Sequence, residues 1–175
     1  MQVLICTDSF KHSITALEAS QSLAEGLSLL NKDITSRLLP LADGGEGTVR
    51  ALVDATRGSI VEAGAHDPLM REITAQFGIL GDGNTAVIEM AAASGIELLP
   101  AEERNPFFTT SYGTGELIQA AMDRGCRKII LGIGGSATID GGAGLLAALA
   151  AVFKDKNDRS LLPTGEKLDD IQRID

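Results

Sequence analysis

Residues Lys128 to Leu146 read KIILGIGGSATIDGGAGLL. An apolar run, Ile129, Ile130 and Leu131, breaks into six glycines between Gly132 and Gly144 and then returns to the helix formers Leu145 to Ala151. The pattern predicts a buried strand, a glycine-rich loop and a helix N-terminus. Glycine lets backbone amides come close to a ligand and adopts positive φ without a Cβ clash. A helix N-terminus adds unpaired N–H groups and the positive end of the macrodipole, which favour an anion. Ser136, Thr138 and Asp140 put two hydroxyls and a carboxylate into the same loop, a combination that suits phosphate and metal. Packing alone also produces glycine-rich turns after strands. The loop is not a Walker A motif, because no Lys follows its glycines. Gly132, Gly134 and Ala137 do match G-x-G-x-x-A, so an NAD-type dinucleotide fingerprint is the rival, with Asp155 near the next strand. Against it, Asp140, Gly141 and Gly142 fall where that fingerprint needs the first turns of a helix, and a carboxylate repels a pyrophosphate unless a cation lies between them.

Two further stretches repeat this logic. Gln2 to Thr7 is a short apolar run without alternation, as expected of a central parallel strand, and it leads into Asp8-Ser9-Phe10-Lys11. Thr15 and Glu18 form a capping-box pattern before a helix over Ala16 to Leu30 with Leu17, Leu23, Leu27 and Leu30. The strand-loop-helix order puts Asp8, Ser9 and Lys11 at a strand's carboxyl end, where open parallel sheets bind ligands. A second strand, Thr35 to Leu41, runs into Asp43-Gly44-Gly45-Glu46-Gly47-Thr48 and a helix from Val49 to Thr56. Its two acids suit a hard cation or a hydroxyl; an Asp cap on a flexible turn is the plainer alternative.

From Ser59 onward the texture changes. Ser59 to Ala65, Glu72 to Leu80 and Thr85 to Met90 predict strands, with a hairpin signal at Gly81-Asp82-Gly83-Asn84. Thr109 to Gly115 is another hydroxyl-and-glycine segment, followed by a helix over Glu116 to Arg124, and a short amphipathic helix with Leu168, Ile171 and Ile174 closes the chain. The expected fold is α/β: a Rossmann-like parallel segment over residues 1–64, then a second mixed α/β domain over 65–175.

With 175 residues the chain can bury up to roughly 70% of its unfolded surface. A net charge of −9 argues against a nucleic-acid surface but leaves room for a small anionic ligand at a locally positive site. Cys6 and Cys126 lie in or beside apolar runs and are expected to be reduced and buried. His12 and His66 lack zinc-site spacing, and no G-x-S-x-G elbow points to a serine hydrolase. No run approaches membrane-spanning length and no signal peptide is evident, so a cytoplasmic protein is expected.

Together, DSFK at Asp8 to Lys11, ADGGEGT at Ala42 to Thr48, AVIEMAAASG at Ala86 to Gly95, TTSYGTGELI at Thr109 to Ile118 and GIGGSATIDGG at Gly132 to Gly142 resemble the bacterial glycerate kinase family. The resemblance runs from Gln2 to Asp175; members commonly carry Asn where Ile139 stands. It implies transfer of the γ-phosphoryl of ATP, with Mg²⁺, to the 2-hydroxyl of D-glycerate, in a site between two α/β domains. Family chains continue well past this length, which implies an N-terminal portion. A homodimer is among the assemblies left open.

The candidate set follows. Asp140 takes or orients the substrate proton or binds Mg²⁺, unless it is only a helix cap worth about 1 kcal/mol. Lys11 meets phosphate or the substrate carboxylate. Asp8, Ser9, Gly44, Gly45, Glu46, Gly134, Gly135, Ser136 and Thr138 surround substrate and phosphate, and Asp43 joins Asp140 as a metal ligand. An NAD-type oxidoreductase and a non-catalytic anion-binding fragment are the alternatives.

Overall fold

The computed structural model describes residues 1–10 and 13–175. Lys11 and His12 lie outside the described residues. The chain opens with strand β1 (Gln2–Ile5), helix α1 (Ala16–Leu30) and strand β2 (Thr35–Leu38), and β1 pairs with β2 in parallel. Helix α1 carries the expected capping box: Thr15 Oγ1 accepts from Glu18 N at 3.2 Å, and Thr15 N donates to Glu18 Oε2 at 2.8 Å. Helix α2 (Thr48–Thr56) then leads to a four-stranded sheet.

That sheet orders β3 (Ser59–His66), β4 (Glu72–Ile79), β5 (Thr85–Glu89) and β6 (Lys128–Gly132) side by side. The first two pairs are antiparallel and β5–β6 is parallel, from Thr85 opposite Lys128 to Glu89 opposite Gly132. Strand β3 pairs with β4 along its whole length, from Ser59 opposite Ile79 to His66 opposite Glu72. Asp82 ties the β4–β5 turn. The Thr85 hydroxyl, and after it the amides of Asn84 and Thr85, hold its carboxyl at about 2.

Strand β5 is buried from Thr85 to Ile88 and feeds both faces of the sheet by alternation. Ala86 and Ile88 join Phe77, Leu117, Ala121 and Cys126 beneath helix α4 (Tyr112–Asp123), while Val87 packs with Val49 and Val53 of α2. Each large side chain buried this way stabilises the fold by about 1.5–3 kcal/mol. Short helix α3 (Ala91–Ser94) follows β5, and α5 (Ala143–Ala148) follows the loop after β6. A small antiparallel sheet of β7 (Phe153–Lys154), β8 (Ser160–Leu161) and β9 (Arg173–Ile174) ends the chain.

Four expectations need correction. Helix α4 starts at Tyr112, not Glu116, so Gly113 and Gly115 are helical. They are glycine because an added Cβ would meet the His66 and Leu145 carbonyl oxygens. The closing segment is a 3-10 turn over Gly165–Asp170 followed by β9, not an amphipathic α-helix; Ile174 pairs with Phe153. Cys126 is buried as expected, but Cys6 is exposed. Strand β1 is not central among the described residues: with only β2 beside it, Leu4 stays 58% exposed, and Leu23 and Leu30 of α1 are likewise exposed. No helix among the described residues is long and apolar enough to cross a membrane.

Candidate functional site

Two loops that both follow strands meet backbone to backbone. One joins β2 to α2 and the other joins β6 to α5. Gly134 N donates to Gly44 O at 3.1 Å. A Cβ on Gly132 would sit 2.5 Å from Gly44 O, and one on Gly134 would sit 2.7 Å from Gly45 Cα. The glycines of the second loop are therefore required by the first loop, a close approach that side chains would block. Gly44, at φ 93, also uses the left-handed region that favours glycine. Behind this seam, Met90 N donates to Gly132 O, Ile96 N to Gly135 O and Ala137 N to Ser94 O, each at 2.9 Å. The loop after β6 is thus clamped between the loop after β2 and the segment after β5.

The N-termini of α2 and α5 already hold protein carboxylates. Gly47 precedes helix α2 at the cap position and has no side chain to cap it. Glu89, at the carboxyl end of β5, takes that role from 40 residues away and accepts from Val49 N at 2.8 Å. Burial pushes the Glu89 carboxyl up and nearby Glu46 adds to this, while the amides of Val49, Gly47 and Thr48 oppose them. Asp43 does not cap the helix; its Oδ1 accepts from Gly45 N at 3.0 Å, within its own turn.

Raised above the ordinary Glu value of 4.5, the Glu89 carboxyl gives a contribution to stability that is whole below that value. The contribution is lost as pH rises through the elevated folded value. In Glu89→Gln this dependence disappears. The stability of the variant relative to the wild type should therefore rise as pH goes from about 4 to about 7. Urea unfolding across that range measures it, and a flat difference would remove Glu89 from the half-buried cap.

Asp140 plays the corresponding part for α5. It is 2% exposed. Its Oδ2 accepts from Ser111 N at 2.7 Å, Ser111 Oγ at 2.8 Å, Gly144 N at 3.1 Å and, more weakly, Thr110 Oγ1 at 3.4 Å. Oδ1 accepts from Gly142 N at 3.1 Å. Ser111 Oγ in turn accepts from Leu145 N at 3.0 Å. One carboxylate thus ties the start of α4, the β6–α5 loop and the first turn of α5 together, with its lone pairs directed at donors.

The remaining candidates are more open. Ser136 and Thr138 place their hydroxyls 3.1 Å apart, and Ser136 Oγ accepts from Thr138 N at 3.0 Å. With Arg104, Ile96 and Ile139 they line a groove of about 240 Å³. Asp43 and Glu46 are exposed on the loop after β2. Asp8 and Ser9 are also exposed; Asp8 Oδ1 accepts from Ser9 N at 2.7 Å, and no hydrogen bond joins either residue to the two glycine loops among the described residues. Their segment starts beside the loop after β2, because Leu41 N donates to Thr7 O at 2.9 Å. No cluster of three or more His, Cys, Asp or Glu side chains that could hold a metal occurs among the described residues.

The structure therefore brings Gly44, Gly45, Gly134 and Gly135 together and leaves Ser136 and Thr138 facing a groove. It turns Asp140 inward, away from Asp43. Sequence reasoning missed the cap formed by Glu89 and the place of Arg104 in the groove. An acid ending the apolar strand AVIE was a readable signal for the first; for Arg104 only its place before Asn105-Pro106 was available.

Comparison with known proteins fits this geometry. The glycerate kinase family model matches residues 3–175. The chain is 50% identical over 175 residues to glycerate kinase of Bacillus subtilis and 48% identical over 175 residues to glycerate 2-kinase of Escherichia coli, covering 100% of this chain and 46% of each relative. A crystal structure from Salmonella typhimurium LT2, provisionally described as glycerate kinase 2, superposes with a TM-score of 0.88 at 47% identity, covering 100% of this chain and 47% of that one. The chain spans about half the length of these relatives. With the family model matched almost end to end and the glycine seam in place, the chain belongs to the glycerate kinase family.

Proposed function

We propose that the complete polypeptide carrying this chain transfers the γ-phosphoryl of ATP to the 2-hydroxyl of D-glycerate. The observation that carries this reading is the seam of amide-rich loops at strand carboxyl ends, locked by Gly134 N to Gly44 O at 3.1 Å. Phosphoryl transfer asks for fixed donors and charge neutralisation more than for covalent chemistry. In this reading the amides around Gly134 and Gly135 and the hydroxyls of Ser136 and Thr138 orient anionic oxygens. Lys11, outside the described residues, is proposed as a cation for the same anions, with Asp8 and Ser9 on its loop.

Magnesium, when bound, would neutralise phosphate charge. It is usually held by one or two carboxylates together with substrate phosphates, so exposed Asp43 and Glu46 fit as its protein ligands. Asp140 does not fit: N–H and O–H donors already occupy both of its oxygens. We assign it to holding the loop, not to proton transfer.

The NAD-type alternative is weaker. Its fingerprint needs a helix opening within the motif, whereas α5 starts only at Ala143 and Gly134 faces Gly45. A coupled ADP-release assay with D-glycerate, ATP and Mg²⁺ tests the kinase reading. Absence of turnover alongside clear NADH binding would overturn it.

A further inference from the structure

We propose that Arg104 is the residue that recognises the carboxylate of the acid substrate, in the groove it shares with Ser136 and Thr138. The inference rests on the kinase reading and assigns one end of the substrate within the same site. Because Glu89 and Asp140 fill the starts of α2 and α5, an incoming anion has to find its partners elsewhere. The groove of about 240 Å³ beside the β6–α5 loop provides them, with a guanidinium and two hydroxyls lining one space.

Arg104 is held there without being used up. Its Nε donates to Leu99 O at 3.0 Å, which aims the fork. Nη2 lies 3.6 Å from Glu97 Oε2, too long for a hydrogen bond. That pair is exposed, with 36% and 63% of the two side chains accessible, and exposed pairs contribute little, so a ligand carboxylate displaces it readily. A guanidinium binds a carboxylate through two parallel N–H bonds, a geometry that a lysine ammonium does not reproduce.

Across the groove, Ser136 Oγ already accepts from Thr138 N. Among the described residues, its proton and that of Thr138 have only each other at 3.1 Å and, for Ser136, Thr138 O at 3.2 Å. Such long contacts yield to a ligand oxygen. Ile96 and Ile139 supply apolar walls. The groove thus fits a small anion with adjacent hydroxyls, and it sits on the loop whose glycines form the seam.

Calorimetric titration of the complete polypeptide carrying this chain tests the assignment. D-glycerate, ATP and inorganic phosphate are titrated separately into the wild type, Arg104→Gln and Arg104→Lys, with Tm recorded for each protein. Arg104→Gln should weaken D-glycerate at least about tenfold, the scale of a lost charged hydrogen bond. Arg104→Lys should recover part of that loss, and ATP and phosphate affinities should stay within about twofold. Unchanged D-glycerate affinity, a loss falling on ATP or phosphate instead, or no D-glycerate binding by the wild type overturns the inference. A wild type that phosphorylates D-glycerate with a KM indifferent to Arg104 also overturns it and leaves the kinase reading intact. Binding of D-glycerate through Arg104 without phosphoryl transfer does the reverse.

Discussion

Asp140→Ala should lose about 3–5 kcal/mol of folding stability, because the substitution strips the acceptor from several buried donors at once. Ser111 N–H and O–H, Gly142 N–H and Gly144 N–H all end on this carboxylate, in a site closed to solvent. Asp140→Asn is the more informative change. On capping preference alone, Asn replaces Asp at almost no cost. Here an amide NH₂ placed at Oδ2 faces the Ser111 and Gly144 amides, and placed at Oδ1 it faces Gly142 N. Both orientations set donor against donor, a cost of about 1–3 kcal/mol. Urea unfolding of both variants measures these losses. Wild-type stability in Asp140→Asn, joined to a kcat reduced about 10²-fold or more, would return Asp140 to the general-base role.

Asp140 also marks where sequence reading stops. A loop crowded with Ser136, Thr138 and Asp140 predicts polar chemistry, and that much was legible. The direction in which the carboxylate points was not, because its partners at Thr110 and Ser111 come from a segment 29 and 30 residues earlier. The same holds for Glu89, which caps α2 across 40 residues. Local patterns were read well where the determinants are local: the Thr15–Glu18 capping box, the Asp82 turn and the strand at Thr85–Glu89. They failed where tertiary packing sets the outcome. The Thr109 to Gly115 stretch reads as a loop because glycine disfavours helix by about 1 kcal/mol. Yet α4 starts at Tyr112, because Gly113 and Gly115 let it lie against the His66 and Leu145 carbonyls. The five blocks carried the family resemblance; which of their acids is buried only the fold shows.

Gly134→Ala should abolish most activity while leaving the fold standing. The added Cβ would lie 2.7 Å from Gly45 Cα, 3.0 Å from Gly45 N and 3.2 Å from Gly44 O. All three neighbours are backbone, so no side chain can rotate out of the way and the two loops must separate by a fraction of an ångström or more. Overpacking of this kind costs about 1–3 kcal/mol of stability. The kinetic cost is larger, since misplacing positioning groups by about 1 Å lowers rates by about 10²-fold. In the complete polypeptide, kcat/KM for D-glycerate should therefore fall about 10²-fold or more, with a cooperative unfolding transition retained. Gly26→Ala is the matched control. That glycine lies in α1 with nothing within 4 Å of an added Cβ, so the change should raise stability by up to about 1 kcal/mol and leave turnover alone. Full activity in Gly134→Ala would show that the seam between the two glycine loops is packing without consequence for the chemistry.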